Sequence, residues 1–234
     1  MVPRHKEPDI LARTPRARNP ALTRAVLLDA AAAEFARYGF DGARVERIVK
    51  QAGCNTRMLY HYFDNKENLY LQVLEAVYRD IREKERQLDL ARLAPRDALL
   101  RLVRFTWDHF SSNKLFIDIT RNENLVGGRF VRRSSAIAQM SSPLIQLIAD
   151  TIRRGLARDD FRHDADPLQL YISIVALSSH HLNNVHTLSA TFQTDLTAPE
   201  WLSERRAHVE MLILRMVGDR ETAAGDIADP SLSR

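Results

Sequence analysis

The 234-residue chain has a single cysteine, Cys54, and only eight glycines. One thiol cannot close a disulfide within the chain, and it suits a reducing compartment. No apolar run approaches the ~18 residues of a membrane span, and the Arg- and Pro-rich start lacks the apolar stretch of a secretory signal. The expected location is therefore the cytoplasm, without a membrane partner. Hairpin signals are also scarce. Asp41-Gly42 is the one such dipeptide, and it lies between helical patterns, which points to an all-α fold. The nucleophile-elbow, phosphate-loop, zinc-protease and dinucleotide fingerprints are missing, so no catalytic residue, metal or cofactor is expected. There is no internal repeat of 20–50 residues and no low-complexity tract.

Apolar residues make up 45% of the chain and charged residues 27%, the balance of a chain that folds around a core. The net charge of +4 is unevenly placed. Residues 1–70 carry 12 Lys/Arg against 8 Asp/Glu, whereas residues 71–234 carry 22 of each. A basic end on a neutral body is the footprint of a nucleic-acid contact, although a solvated tail would look the same on charge alone.

Residues 1–22 hold Pro3, Pro8, Pro15 and Pro20 among Arg4, Lys6, Arg13, Arg16 and Arg18 without apolar periodicity, and read as a flexible basic arm. A first helix is expected from a Thr23 cap, with Leu28, Ala31, Ala32 and Phe35 on one stripe and Gly39 as its end. A second carries Val45, Ile48, Val49 and Ala52 and stops at Gly53; a third, short one starts after Asn55 and closes at Phe63-Asp64-Asn65. A long fourth helix opens at Lys66, turns Leu69, Val73, Ala76 and Val77 inward, and runs into the charged stretch Arg79 to Arg86. Further helices are expected near 95–113, in broken pieces over 115–138, and at 142–158, 166–188 and 199–217, with Pro143, Pro167 and Pro199 near helix starts. The organisation is an arm (1–22), a three-helix head (23–70), a helical body (71–218) and a disordered tail (219–234). Apolar residues on more than one face of the last two helices point to a homodimer formed through them.

The second and third helices, separated by Gly53-Cys54-Asn55, make a helix-turn-helix over about residues 44–63, a motif that lays its second helix in the DNA major groove. If Leu59, Tyr62 and Phe63 face the core, Arg57, Tyr60 and His61 share the opposite face, and Thr56 adjoins Tyr60. Arg57 has the fork to read guanine, worth roughly 1–3 kcal/mol of discrimination, and the Thr56 and Tyr60 hydroxyls reach phosphates. Asn55 and Met58 complete the recognition segment. Lys66, at a helix N-terminus, is a phosphate clamp, and Arg44 a further phosphate contact.

The run Gly39-Phe40, Val45, Ile48, Ala52-Gly53, Leu59-Tyr60, Tyr62-Phe63, Lys66-Glu67 and Leu69 resembles the DNA-binding domain of the TetR/AcrR family over residues 23–70. That resemblance implies a regulator that binds a double-stranded operator, with the lysine at 66 on a phosphate. Ala43, Val49, Cys54 and Asn55 depart from the usual Thr, Ala, Val and Ser; loss of the Thr cap costs ~1 kcal/mol. Cys54 reads as a small apolar turn residue.

Leu182 to Ser189 and Asp195-Leu196 are similar to a segment of one subgroup of the family, which implies a dimeric body that binds a small-molecule effector of unknown identity. Polar residues within apolar helices supply the ligand candidates: Trp107, His109, Asp118, Arg121, Glu123, Asn124, His180, His181 and Asn184. A metal site on His180, His181 and His186 is disfavoured, because neighbouring residues face apart on a helix. The expected function is a repressor released from a near-palindromic operator by its effector. A nucleic-acid binder without sequence preference would share the motif, and an activator would too.

Overall fold

The computed structural model describes residues 19–218. Among these there is no strand, and no helix is long and apolar enough to cross a membrane. The expected tail at 219–234 and the arm up to residue 18 lie outside the described residues. The first helix, α1 (Pro20–Gly42), starts earlier than expected. Asn19, not Thr23, is its cap: the Asn19 side chain accepts from the backbone N–H groups of Ala21 and Leu22, while Pro20 takes the first turn, where its missing N–H costs nothing. Thr23 sits one turn inside and donates its hydroxyl to the Asn19 carbonyl at 3.2 Å. Residues 19–22 thus belong to the helix and its cap.

Gly39, expected to end α1, breaks it at φ 65°, a left-handed backbone that glycine adopts without a Cβ penalty, and a last turn follows to Gly42. The helices α2 (Val45–Gln51), α3 (Thr56–Phe63) and α4 (Lys66–Arg86) follow, with Gly53 again left-handed in the turn between α2 and α3. Asn55 caps α3 and Asn65 caps α4, each side chain accepting a backbone N–H three residues on. Leu27, Phe35, Ile48, Leu59, Phe63, Leu69 and Tyr70 are fully buried together, and Ile119, Phe130 and Ile137 from farther along the chain join the same core. The boundary expected at residue 70 falls inside α4.

The rest of the molecule comprises α5 (Pro95–Ser112), α6 (Lys114–Leu125), α7 (Ser135–Ala157), α8 (Pro167–Asn183), α9 (Val185–Phe192) and α10 (Pro199–Met216). Its core gathers Leu102, Val103, Trp107, Ile148, Ile152, Phe161, Leu170, Ile174, Val209 and Ile213. Two sequence expectations fail here. The helix expected to start beside Pro143 begins at Ser135 behind a Ser134 cap, and Pro143 lies exposed within it. An interior proline forfeits one backbone bond, a loss that the apolar residues on both sides of it outweigh by packing. The helix expected over 166–188 stops at Asn183 and restarts as α9. Asn184 turns its side chain back to donate to the His180 carbonyl at 2.9 Å, the local competition with helical bonding for which Asn is suited.

In α7, Gly155 packs flat against the buried ring of Phe161; a Cβ at this position would overlap that ring. Gly155→Ala should therefore lower stability by about 1–3 kcal/mol despite the better helix propensity of alanine. Chemical denaturation followed by circular dichroism measures this, and an equal or raised midpoint would show that Phe161 yields freely.

Candidate nucleic-acid interface and ligand cleft

The short helix α3 is held by its apolar side. Leu59 and Phe63 are fully buried and Tyr62 is half-buried, so Thr56, Arg57, Tyr60 and His61 face outward together. Asn55 is exposed, but its side-chain oxygen is engaged by the Met58 N–H at 2.9 Å, and Met58 is half-buried. Arg44 is exposed at the start of α2. Lys66 opens α4, with its ammonium 4.8 Å from the centroid of the Phe40 ring; burial lowers its pKa from the ordinary lysine value.

The placement of α2 depends on a residue that the pattern did not single out. Glu34, buried on α1, accepts the Arg44 backbone N–H at 3.0 Å and the Arg47 Nε–H at 2.7 Å, and Arg47 also donates to the Gly42 carbonyl at 2.7 Å. In sequence Glu34 reads only as a polar position among alanines. The Arg47 guanidinium lies over the Tyr38 ring at 4.4 Å, and its hydrogen bond to Glu34 raises its pKa further.

The head is bolted to the body at several points. Where α1 is interrupted at Gly39, its last carbonyls need donors. Asn122 of α6 supplies them, its amide bonding Phe35 O at 3.0 Å and Ala36 O at 2.9 Å. Arg129 and Arg133 reach Glu67 at 2.9 and 2.8 Å, and the bond from Arg133 lowers the Glu67 pKa. Phe130 packs its ring 4.5 Å from Phe40 and 4.8 Å from Tyr70. Glu123, one of the ligand candidates, holds this segment instead, accepting the backbone N–H groups of Phe130 and Val131 at 2.7 and 3.0 Å.

The other ligand candidates do not converge on one cavity. Asp118 is paired with Lys114 and Arg121 along α6, at 2.7 and 2.9 Å. Asn124 donates to the Thr120 carbonyl, and Asn184 is used at the end of α8. His109 is buried between Phe105 and Phe116, and burial lowers its pKa. Trp107 stacks on His181 at 4.8 Å, and Trp201 covers the same imidazole at 5.5 Å. Both nitrogens of His181 are buried without a partner, and burial pushes its pKa down to about 4. His180 and His181 do meet, with Trp201, Arg205 and Phe192, around an open cleft of about 300 Å³. Among the described residues no three His, Cys, Asp or Glu side chains are grouped to hold a metal.

A larger cleft, of about 580 Å³, lies between α4 and α7 and contains none of the candidates. Its α4 side presents Arg82, Glu85 and Arg86; its α7 side presents Ala136, Gln139, Met140, Pro143, Leu144 and Leu147. Arg82 and Glu85 are buried, 2.9 Å apart, and Arg82 also donates to the Tyr171 hydroxyl at 2.7 Å. Burial outweighs the attraction of Arg82 and pushes the Glu85 carboxyl up to about 7. These residues sit in the charged stretch 79–86 into which the fourth helix runs, and packing against α7 and Tyr171 of α8 makes them interior.

An outward-facing short helix in a helix-turn-helix, bolted to a helical body that carries its own cleft, defines a DNA-binding regulator with a built-in sensor domain. The comparisons with known proteins agree. Residues 27–73 match the family described as "Bacterial regulatory proteins, tetR family", and residues 95–213 match "Tetracyclin repressor-like, C-terminal domain". The chain belongs to the TetR family. It is 34% identical over 200 residues to the HTH-type transcriptional repressor NicS of Pseudomonas putida, spanning 86% of this chain and 94% of that protein. It is 25% identical over 210 residues to the HTH-type transcriptional regulator RutR of Escherichia coli, spanning 88% and 95%. The crystal structure of Streptomyces coelicolor SCO4942 superposes with a TM-score of 0.61 at 25% identity, over 83% of this chain and 97% of that one. The protein is accordingly a transcriptional regulator and not an enzyme. TetR regulators dimerise, bind DNA operators and take ligands in the C-terminal domain.

The environment of His181 sets a pH dependence. Its folded pKa of about 4 lies below the ordinary 6.5, so the neutral ring's contribution is complete above pH 6.5 and is lost as pH falls toward 4. The difference corresponds to about 3 kcal/mol. Denaturation midpoints measured from pH 7.5 to 4 should fall steeply for the wild type and less for His181→Phe; parallel curves would show that His181 does not titrate in this way.

Proposed function

We propose that the protein is a cytoplasmic repressor that binds a near-palindromic operator as a homodimer and is released when a small molecule enters the cleft between α4 and α7. The observation that carries the DNA-binding part is the shared outward face of Thr56, Arg57, Tyr60 and His61 on a helix whose other side is locked by Leu59 and Phe63. Arg57 reads a base, Thr56 and Tyr60 contact phosphates, and His61 extends the face. Asn55 and Met58 position the start of the helix, and Asn55 keeps its amide N–H groups for DNA. Arg44 and Lys66 flank it as phosphate contacts; resting on Phe40 fixes the Lys66 ammonium in place.

Dimerisation through α8 and α10 is supported by large apolar side chains left exposed there, among them Leu168, Ile172 and Met216. Two copies would set their α3 helices roughly 34–36 Å apart, one turn of DNA. The effector acts by preferring an arrangement with a different spacing, and a coupling of ~1–3 kcal/mol weakens operator binding about 5- to 150-fold. Asn122 and the Glu67 pairs give the body a rigid hold on the head through which this coupling acts.

The test is selection from random duplex DNA at moderate, fixed salt, followed by sequencing. An inverted repeat should emerge, and Arg57→Ala should cost about 1–3 kcal/mol and relax the preference at one base pair of each half-site. Retention of DNA with no consensus would mean binding without sequence preference.

A further inference from the structure

The chemistry of the cleft between α4 and α7 narrows what it takes. Its walls are largely apolar: Leu90, Ala91, Ala136, Met140, Leu144 and Leu147. Its charged groups are few, and most are spoken for. Arg86 is paired with Glu83, and Asp89 with Arg92, both at the exposed edge. The α7 wall brings no titratable group; behind Arg82, outside the lining, stands Tyr171 of α8, whose phenol burial holds neutral. What remains inside is Arg82 with Glu85. The Arg82 side chain is only 9% exposed; its Nη1 pairs with Glu85 Oε2 at 2.9 Å and its Nη2 donates to the Tyr171 hydroxyl, but its Nε–H has no hydrogen-bond partner. An unpaired guanidinium donor in an apolar enclosure is expensive unless something else takes it up. Glu85 compensates poorly, because burial keeps its carboxyl partly protonated near neutral pH.

We propose that the effector of this cleft is a carboxylic acid with an apolar body, its carboxylate bound by the Arg82 guanidinium in place of Glu85. A carboxylate matches the guanidinium fork and completes its donors. Its body fills the space against Met140, Leu144 and Leu147, and 580 Å³ lies within the ordinary range for a drug-sized ligand. The inference rests on reading this cleft as the effector site.

The intact dimer is titrated calorimetrically at pH 7 with benzoate, 2-naphthoate, octanoate and decanoate, and with the primary amide of each. At least one acid should bind about tenfold more tightly than its amide. Arg82→Gln should abolish that preference, and Glu85→Gln, which removes the competing carboxylate, should strengthen acid binding. If Arg82→Gln fails to fold, Glu85→Gln carries the test alone, and unchanged or weaker acid binding by it overturns the inference. Amides that bind as tightly as acids, with both blocked by Gln139→Trp at the exposed rim, would leave the cleft as effector site and overturn the carboxylate assignment. Acid binding unaffected by Arg82→Gln and by Gln139→Trp would overturn both. Failure of every acid to bind overturns the assignment.

Discussion

The structure turns on α4, because one rigid helix serves both ends of the molecule. Its 21 residues span roughly 30 Å. At the N-terminus Lys66 and Glu67 follow directly on α3, and Glu67 is clamped by Arg129 and Arg133. In the middle Leu69, Tyr70, Val73 and Leu74 are buried in the core that also anchors α1 and α3. At the C-terminal end Arg82 and Glu85 form one wall of the cleft. A shift of this helix at the cleft therefore moves the base on which α3 stands. A close-packed core does not absorb such a shift by deforming gradually.

The ionic groups along this path differ in what they contribute. The Glu67 pairs with Arg129 and Arg133 are partly exposed, so their value is modest in energy and lies in fixing direction. Arg82 and Glu85 are buried, where desolvation offsets most of the attraction. Such a pair adds little to stability and makes the site responsive to whatever charge enters it. Asn122 is of a third kind. It is neutral, it satisfies two carbonyls at the interruption of α1, and it ties α6 to the head without a titrating group.

The head was largely legible in the sequence because its signals are local. Gly39 and Gly53 mark left-handed turns, Asn55 marks a cap, and the alternation of Leu59 and Phe63 with Arg57, Tyr60 and His61 assigns the faces of α3. The sequence leaves the start of α1 ambiguous because Asn19 and Thr23 are both good caps and only the chain's path chooses between them. The cleft was not legible. Polar residues in apolar helices point elsewhere: Asp118, Asn124 and Asn184 satisfy themselves locally, while His109 and His181 fill aromatic cores. Arg82 and Glu85 sit in a charged stretch whose other charged residues stay exposed, and these two are interior because α7, begun at Ser135 and carried through Pro143, lies against them. Contacts of long sequence separation, such as Asn122 with Phe35, leave no periodic trace.

On the proposed function, the state of the cleft sets the affinity of the head for DNA. Filling the cleft from within, by Ala136→Trp, tests it without any knowledge of the effector. Operator affinity is measured by fluorescence anisotropy at fixed salt, with dimer mass and helix content checked in parallel. The account predicts a loss of about 5- to 150-fold with fold and dimer intact; unchanged affinity in a folded dimer with the cleft filled would contradict it.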